Sequence, residues 1–247
     1  MKTKPLSNIK DDAQKRYDAI LEVAYNHFIQ DGVKGLNIRQ IAKTADVHPP
    51  VIYQLFGGKE GLVYELAKRL IDDLEEKLLY NIDTLTHPFL KLVQYGVNYI
   101  NVGINSPALF QFILSCDKDM LSDTIEVQKG TIFDLYQNIL SKFMLYLKSY
   151  IKSLYEMGVI KQDYTKVGSA DEVIDALTIK LWASVHGLTA LAVNRMALNK
   201  TFESFYDSFI TAFTFLDNTE SQFLEENEAL ALKSVEIIMT VHIENLS

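Results

Sequence analysis

Apolar residues recur every three or four positions along nearly the whole chain, and no stretch alternates apolar with polar residues as a half-buried strand would. That pattern predicts an all-α protein. Between Leu36 and Phe56 the repeat is short and interrupted. Ile38, Ile41, Ala42 and Ala45 share one stripe, while Arg39, Gln40 and Lys43 face outward. Asp46 follows where the chain must turn, and Asp accepts a positive φ more readily than most residues with a Cβ. His48-Pro49-Pro50 then starts a second short helix, because the residue before a proline is pushed into the extended region and proline suits the first helical positions. His48 takes the N-cap position, and Val47 with Ile52 has the spacing of a hydrophobic staple. Ile52, Leu55 and Phe56 face inward, leaving His48, Pro50, Tyr53 and Gln54 outside. Gly57-Gly58-Lys59-Glu60 opens the next helix.

Beyond this segment the predicted helices lengthen. They run from Lys59 to about Asn81, from His87 to Asn105, from Pro107 to Ser115 and from about Thr124 to Met157, where Gly158 is placed to terminate. A linker from Lys161 to Ser169 precedes a helix from Ala170 to about Asn199, and another spans Phe202 to Leu216. Thr219-Glu220-Ser221-Gln222 has capping-box spacing for a last helix reaching about Ile243. The 25 residues from Leu92 to Cys116 carry no charge and are the stretch to test for a membrane span. They include Gln94, Asn98, Asn101, Asn105, Pro107 and Gln111, which lipid would tolerate at heavy cost. They read instead as two buried helices broken near Asn105-Ser106-Pro107.

A chain of 247 residues, 48% hydrophobic, suits one small and one larger domain. We place a helix-turn-helix domain at residues 1–70, with a leader at 1–10, and a helical bundle at 71–247. Charge divides the same way. Residues 1–70 hold 11 Lys+Arg against 8 Asp+Glu, net +3, and the remaining 177 hold 13 against 24, net −11. A mildly basic head on an acidic body predicts modest nucleic-acid binding per head, and so two heads per complex. Lys2, Lys4 and Lys10 make the leader either a backbone-tracking arm or a solubilising tail. The lone cysteine, Cys116, rules out an intrachain disulfide framework, and the first residues lack a charged-then-apolar secretion pattern. Both point to the cytoplasm.

An exposed helix face on a rigid three-helix unit is what enters a major groove. The ordered positions Ile20-Leu21, Ala24, Phe28, Gly32, Ile38, Ile41-Ala42, Ala45, Val47, Tyr53, Phe56, Lys59-Glu60 and Leu62 resemble the N-terminal domain of the tetracycline repressor (TetR) family over roughly residues 13–70. The resemblance implies phosphate contacts from Tyr53 and Lys59, and approaches to bases or backbone by Arg39, His48, Pro49, Pro50 and Gln54, with Lys43 outward on the first helix. Lys59 at a helix N-terminus reinforces a dipole that favours phosphate, and Gln54 offers a bidentate pair to adenine. Pro49 and Pro50 make only apolar contacts. Tyr53 as a packing aromatic and Lys59 as a solvated surface residue remain open. The chain departs from the family at Asp46, His48 and Pro50, where Gly, Ser and a small residue are usual, so the base sequence read is its own.

In the body, Leu181 to Leu191 resembles a Trp-His-Gly signature of one TetR-family subgroup. Trp182 and His186, four apart, share a helix face, and Gly187 permits close helix approach. They either line an effector pocket or belong to a packed core in which His186 bonds to a carbonyl. Tyr99, Phe110, Phe112, Cys116, Phe133 and Tyr136 are the other pocket candidates, and plain core placement competes for each. Catalysis has little support. His27, His48, His87, His186 and His242 lack metal-ligand spacing, Cys116 has no neighbouring base, and no Gly-rich phosphate loop follows a strand. No metal or cofactor is expected. The resemblance implies a homodimeric, ligand-responsive repressor that binds a palindromic operator and is released by a small-molecule effector, dimerising through helices from about Ala170 onward. The alternative is a ligand-binding or protein-interaction module whose helix-turn-helix has lost DNA binding.

Overall fold

The computed structural model describes residues 6–114, 131–166, 168–193 and 211–212. Among them are α1 (Leu6–Asp31), α2 (Ile38–Thr44), α3 (Pro49–Phe56), α4 (Lys59–Leu79), α5 (Pro88–Asn105), α6 (Pro107–Leu114), α7 (Thr131–Glu156), α8 (Gln162–Thr165) and α9 (Ala170–Val193). Short 3₁₀ turns fill Gly32–Gly35 and Ile82–Thr84, and the described residues contain no strand. The all-α expectation holds. Helix starts at Lys59, Pro107 and Ala170 match the sequence reading, as does the break at Ser106. There the backbone leaves the helix at φ −138° and ψ 63°, and Pro107 restarts it. Gly158 ends α7 at φ +74°. Cys116, the start expected near Thr124, and everything predicted from Phe202 to Ile243 except Thr211 and Ala212 lie outside the described residues.

The chain divides into two compact units, Met1–Leu74 with Ala108–Ile139, and Glu75–Pro107 with Leu140–Ser247. In the first, Ile20, Ala24 and Phe28 of α1 meet Ile41, Ile52, Leu62 and Leu66 in a core where each is at most 2% exposed. Fully burying each such Ile, Leu or Phe contributes about 1.5–3 kcal/mol. The Tyr17 ring stacks on Phe56 with centroids 4.5 Å apart. Polar contacts join α1 to α4 as well. The Tyr25 hydroxyl donates to Asp73 at 2.6 Å, Arg69 pairs with Glu22, and the Arg69 guanidinium lies 4.5 Å from the Tyr25 ring centre. Burial, reinforced by the Asp73 carboxylate, pushes the Tyr25 hydroxyl pKa up.

In the second unit α5 and α9 pack together, with Phe89, Leu92, Ile100, Leu147, Ile151, Leu154, Ile174, Leu177 and Leu181 buried. Among the described residues, the helix long and apolar enough to cross a bilayer is α9, with a mean hydropathy of 1.4 over an 18-residue stretch that is 28% buried. The break at Ser106 and Pro107 cuts the charge-free run from Leu92 into two shorter helices. In α9, Val173, Ile174, Leu177, Leu181 and Val185 are buried, while Ile179 is 59% and Leu191 46% exposed. It has an apolar face inside the unit and apolar residues outside it.

Candidate functional site

Asn37 opens the reading segment in an extended conformation, and its Oδ1 accepts from the Arg39 N–H at 2.9 Å and the Gln40 N–H at 3.2 Å. Sequence reasoning missed this cap, although an Asn directly before a periodic run is its signal. On α2, Ile41 and Ala42 are buried and Arg39, Gln40 and Lys43 exposed, as the stripe predicts. The helix ends in a Schellman turn. Val47 N–H donates to Ala42 O at 2.9 Å and Asp46 N–H to Lys43 O at 3.3 Å, with Asp46 at φ 51°. Asp does here what the sequence asked of it.

His48 occupies the N-cap position of α3 at φ −79° and ψ 141°, but its imidazole makes no capping hydrogen bond. The reason lies in the two prolines. Pro49 and Pro50 have no N–H, and Val51 N–H already donates to His48 O at 2.9 Å, so the first turn leaves no donor for a side-chain cap. His48, Pro49, Pro50, Tyr53 and Gln54 are exposed, with Ile52 and Phe56 buried beneath them. Tyr53 is 58% exposed.

Gly57 closes α3 in the left-handed region at φ +76°, its N–H donating to Tyr53 O at 3.0 Å. At Gly61 a Cβ would collide with the Phe56 carbonyl oxygen, so the turn between α3 and α4 can be this tight only with glycine there. That turn brings Lys59 toward Tyr53. Leu36, Asn37, Ile38, Arg39, Pro49, Tyr53 and Lys59 line one surface cleft of about 410 Å³. Of the residues predicted to meet DNA, the cleft therefore gathers Arg39, Pro49, Tyr53 and Lys59. Lys43, His48, Pro50 and Gln54 stay outside it, exposed. Two cations, a phenol and the N-terminal end of the 21-residue α4 form a surface suited to a phosphate oxygen.

A second candidate site lies within the other unit. Leu92, Tyr95, Gly96, Tyr99, Leu147, Leu181, Trp182 and Val185 line a cavity of about 20 Å³, room for roughly one water. Tyr99 and Trp182 are thus on its wall. His186 stands beside them: the Tyr99 hydroxyl and His186 Nδ1 share a hydrogen bond of 2.6 Å, and the Trp182 and His186 ring centres are 4.9 Å apart. His186 thus has a side-chain partner 87 positions away. Burial holds the His186 pKa below its ordinary value, which favours the neutral ring. Tyr95 was overlooked in the sequence, though it lies four residues before Tyr99 on the same helix face; its buried hydroxyl donates to Phe143 O at 3.4 Å, and burial pushes its pKa up. Phe110 is buried but does not line the cavity. Nothing is described of the side chains of Phe112, Phe133 and Tyr136, and Cys116 falls outside the described residues.

Residues 20–66 match the family described as bacterial regulatory proteins, tetR family. Over 79 residues the chain is 33% identical to the HTH-type transcriptional regulator HbdR of Aromatoleum sp. (strain CIB), covering 32% of this chain and 34% of that protein. The chain spans about a third of the length of the curated relatives it matches. A TetR transcriptional regulator from Chloroflexus aurantiacus J-10-fl shares the fold with a TM-score of 0.59 at 13% identity, over 83% of this chain and 96% of that one. AibR, solved in complex with isovaleryl coenzyme A and operator DNA, aligns with a TM-score of 0.50 at 17% identity, over 72% of this chain and 86% of that one. The sequence likeness is thus confined to the head, while the fold likeness extends over most of the chain. The chain's architecture is a helix-turn-helix head with a helical C-terminal body.

Proposed function

We propose that this protein is a ligand-responsive transcriptional repressor that binds an inverted-repeat operator as a homodimer and releases it when a small molecule occupies the body. The observation that carries the reading is the cleft in which Arg39, Tyr53 and Lys59 converge beside the exposed face of α3. In this reading the DNA-binding domain is residues 1–70 and the effector and dimerisation domain is 71–247. Arg39, Tyr53 and Lys59 hold phosphates, with Lys43 near the backbone. Gln54 reads a base edge, and His48, Pro49 and Pro50 set the contact surface at the start of the recognition helix. No metal, cofactor or catalytic step enters, and the protein works in the cytoplasm.

Dimerisation falls to α9 and the residues after it, since Ile179 and Leu191 leave apolar surface on that helix uncovered within the described residues. A dimer that sets its two recognition helices roughly 34–36 Å apart matches successive major grooves. The effector site is the cavity walled by Tyr99 and Trp182 with His186 beside it, a variant of the Trp-His-Gly arrangement. At about 20 Å³ that cavity must widen to accept an effector, and widening couples occupancy to helix position. AibR, solved with both a coenzyme A thioester and operator DNA, supports this pairing of ligands by analogy. A coupling of ~1–3 kcal/mol would lower operator affinity about 5- to 150-fold.

The test is selection of bound sequences from a random duplex library at low and then physiological salt. Recovery of a palindrome with half-sites about one turn apart is the expected result. No enrichment, even at low salt, would favour a helical interaction module whose head no longer binds DNA.

A further inference from the structure

Asn98 lies on α5, 5% exposed, and its amide bonds outside its own helix. The buried Thr178 and Thr189 hydroxyls instead donate to Ile174 O and Val185 O, one turn back on α9. Asn98 Nδ2 donates to Leu78 O and to Tyr80 O, each at 2.9 Å, while its Oδ1 accepts from Gln94 Nε2 at 2.8 Å. Both amide protons and the amide oxygen are engaged. Two carbonyl oxygens facing one atom require that atom to be the nitrogen, so the orientation of the group is fixed by its neighbours.

Leu78 lies in the last turn of α4, and Tyr80 directly follows that helix, where the final carbonyls have no partner along the chain. Just beyond, Asn81 turns the backbone at φ 61°. A buried amide from α5 therefore caps the end of α4. The next residue on α5 is Tyr99, which lines the cavity and bonds to His186. At its other end α4 begins with Lys59, one of the cleft cations.

We propose that Asn98 is the positioning residue that fastens the end of α4 to the cavity wall, so that the state of the cavity and the DNA-binding state of the head are linked through this amide. The inference rests on the functional reading above and names the joint that reading requires. A displacement of α5 that admits a ligand carries Tyr99 and Asn98 together. The amide has no unengaged donor with which to slip, and it draws the Leu78 and Tyr80 carbonyls along. A leucine or alanine at this position would pack but would not hold them.

The chain supplies its own reporter, because its single tryptophan, Trp182, lines the cavity. Linkage is reciprocal, so if the cavity governs the head, binding DNA at the head must alter the cavity even without an effector. The experiment titrates the full chain with the duplex enriched by the library selection, reading duplex affinity by anisotropy and Trp182 emission in parallel. In the wild type, emission shifts in step with duplex binding. In Asn98→Ala and Asn98→Asp, neither of which can donate, the duplex still binds and the emission shift is lost. Gln94→Leu, which keeps both donors but frees the amide oxygen, weakens the shift; this variant carries the test if the Asn98 substitutions do not fold. A shift that survives in folded Asn98→Ala, or one unchanged in Gln94→Leu where that variant carries the test, overturns the proposal. A wild type that binds duplex with no change in Trp182 also overturns it while leaving the DNA-binding reading intact. A wild type that binds no duplex at all overturns that reading, and the proposal falls with it.

Discussion

The reading segment of the head and the junction of α4, α5 and α9 in the body are held by different means. In the head, α2 and α3 have only seven and eight residues, too short to be stable alone, and they are fixed mainly by devices local in sequence. These are the Asn37 cap, the Schellman turn at Asp46, the two prolines and the left-handed Gly57. In the body, α4 ends on a long-range side-chain amide, and α5 meets α9 through a hydrogen bond between Tyr99 and His186. Local devices make a rigid presenting surface whose outer residues are free to vary, which is what a base-reading face needs. Joints made by distant side chains move only when both partners move, which suits a region proposed to respond to a ligand. In the proposed function, reading and sensing ask opposite things of a helix end.

The comparison can be broken most forcefully at the head core. Ile52 is 0% exposed beneath the reading face, and Ile52→Ala should cost about 2–5 kcal/mol by chemical denaturation, with loss of duplex binding. An unchanged midpoint would mean that α3 is not held from beneath. Gly61→Ala comes next. Its Cβ meets the Phe56 carbonyl oxygen, so the turn must open and carry Lys59 away from Tyr53. The expected cost is ~1–3 kcal/mol of stability, with a loss of duplex affinity larger than that of Lys59→Ala.

How much of this was legible in the sequence follows the same division. Asp46 at positive φ, His48 at the N-cap position, the exposed set on α3 and the break at Ser106 could all be read, because turn chemistry and proline act within a few residues. Asn37 obeyed an equally local rule and was missed. Gly61 was not readable, since its constraint is a carbonyl oxygen that only the folded turn brings close. Asn98 was noted as one of several polar residues unfit for lipid, but its partners at Leu78 and Tyr80 lie 20 and 18 positions away. Tyr99 and His186 were each pocket candidates, yet periodicity on one helix gives no sign of a bond to another. The charge-free run from Leu92 was read as two helices broken near Ser106, as found, whereas the span-length apolar helix among the described residues, α9, was not singled out.

Smaller effects sharpen the comparison within the head itself. Gln54→Ala should weaken a selected site by about 1–3 kcal/mol while leaving random duplex nearly untouched. Lys59→Ala should weaken both alike and lower the salt slope by about one unit. The reverse pattern would exchange the two roles. The smallest effect belongs to the body. The folded-state pKa of His186 lies below its ordinary 6.5 because burial disfavours the charged ring. The unfolded chain therefore binds more protons between the two values, so this contribution to stability is intact above pH 6.5 and is lost as pH falls from there toward the folded value. His186→Gln should flatten that part of the thermal-midpoint profile between pH 7.5 and 5, and an identical slope in the two proteins would deny that the ring is held neutral by burial.

Affinity of the full chain for a random-sequence duplex as a function of salt tests most directly whether the basic head on this acidic body is a working DNA-binding surface. The account predicts measurable binding at low ionic strength that falls linearly in log affinity against log salt, with a slope set by several phosphates. Absence of binding at low salt, or affinity indifferent to salt, would contradict it.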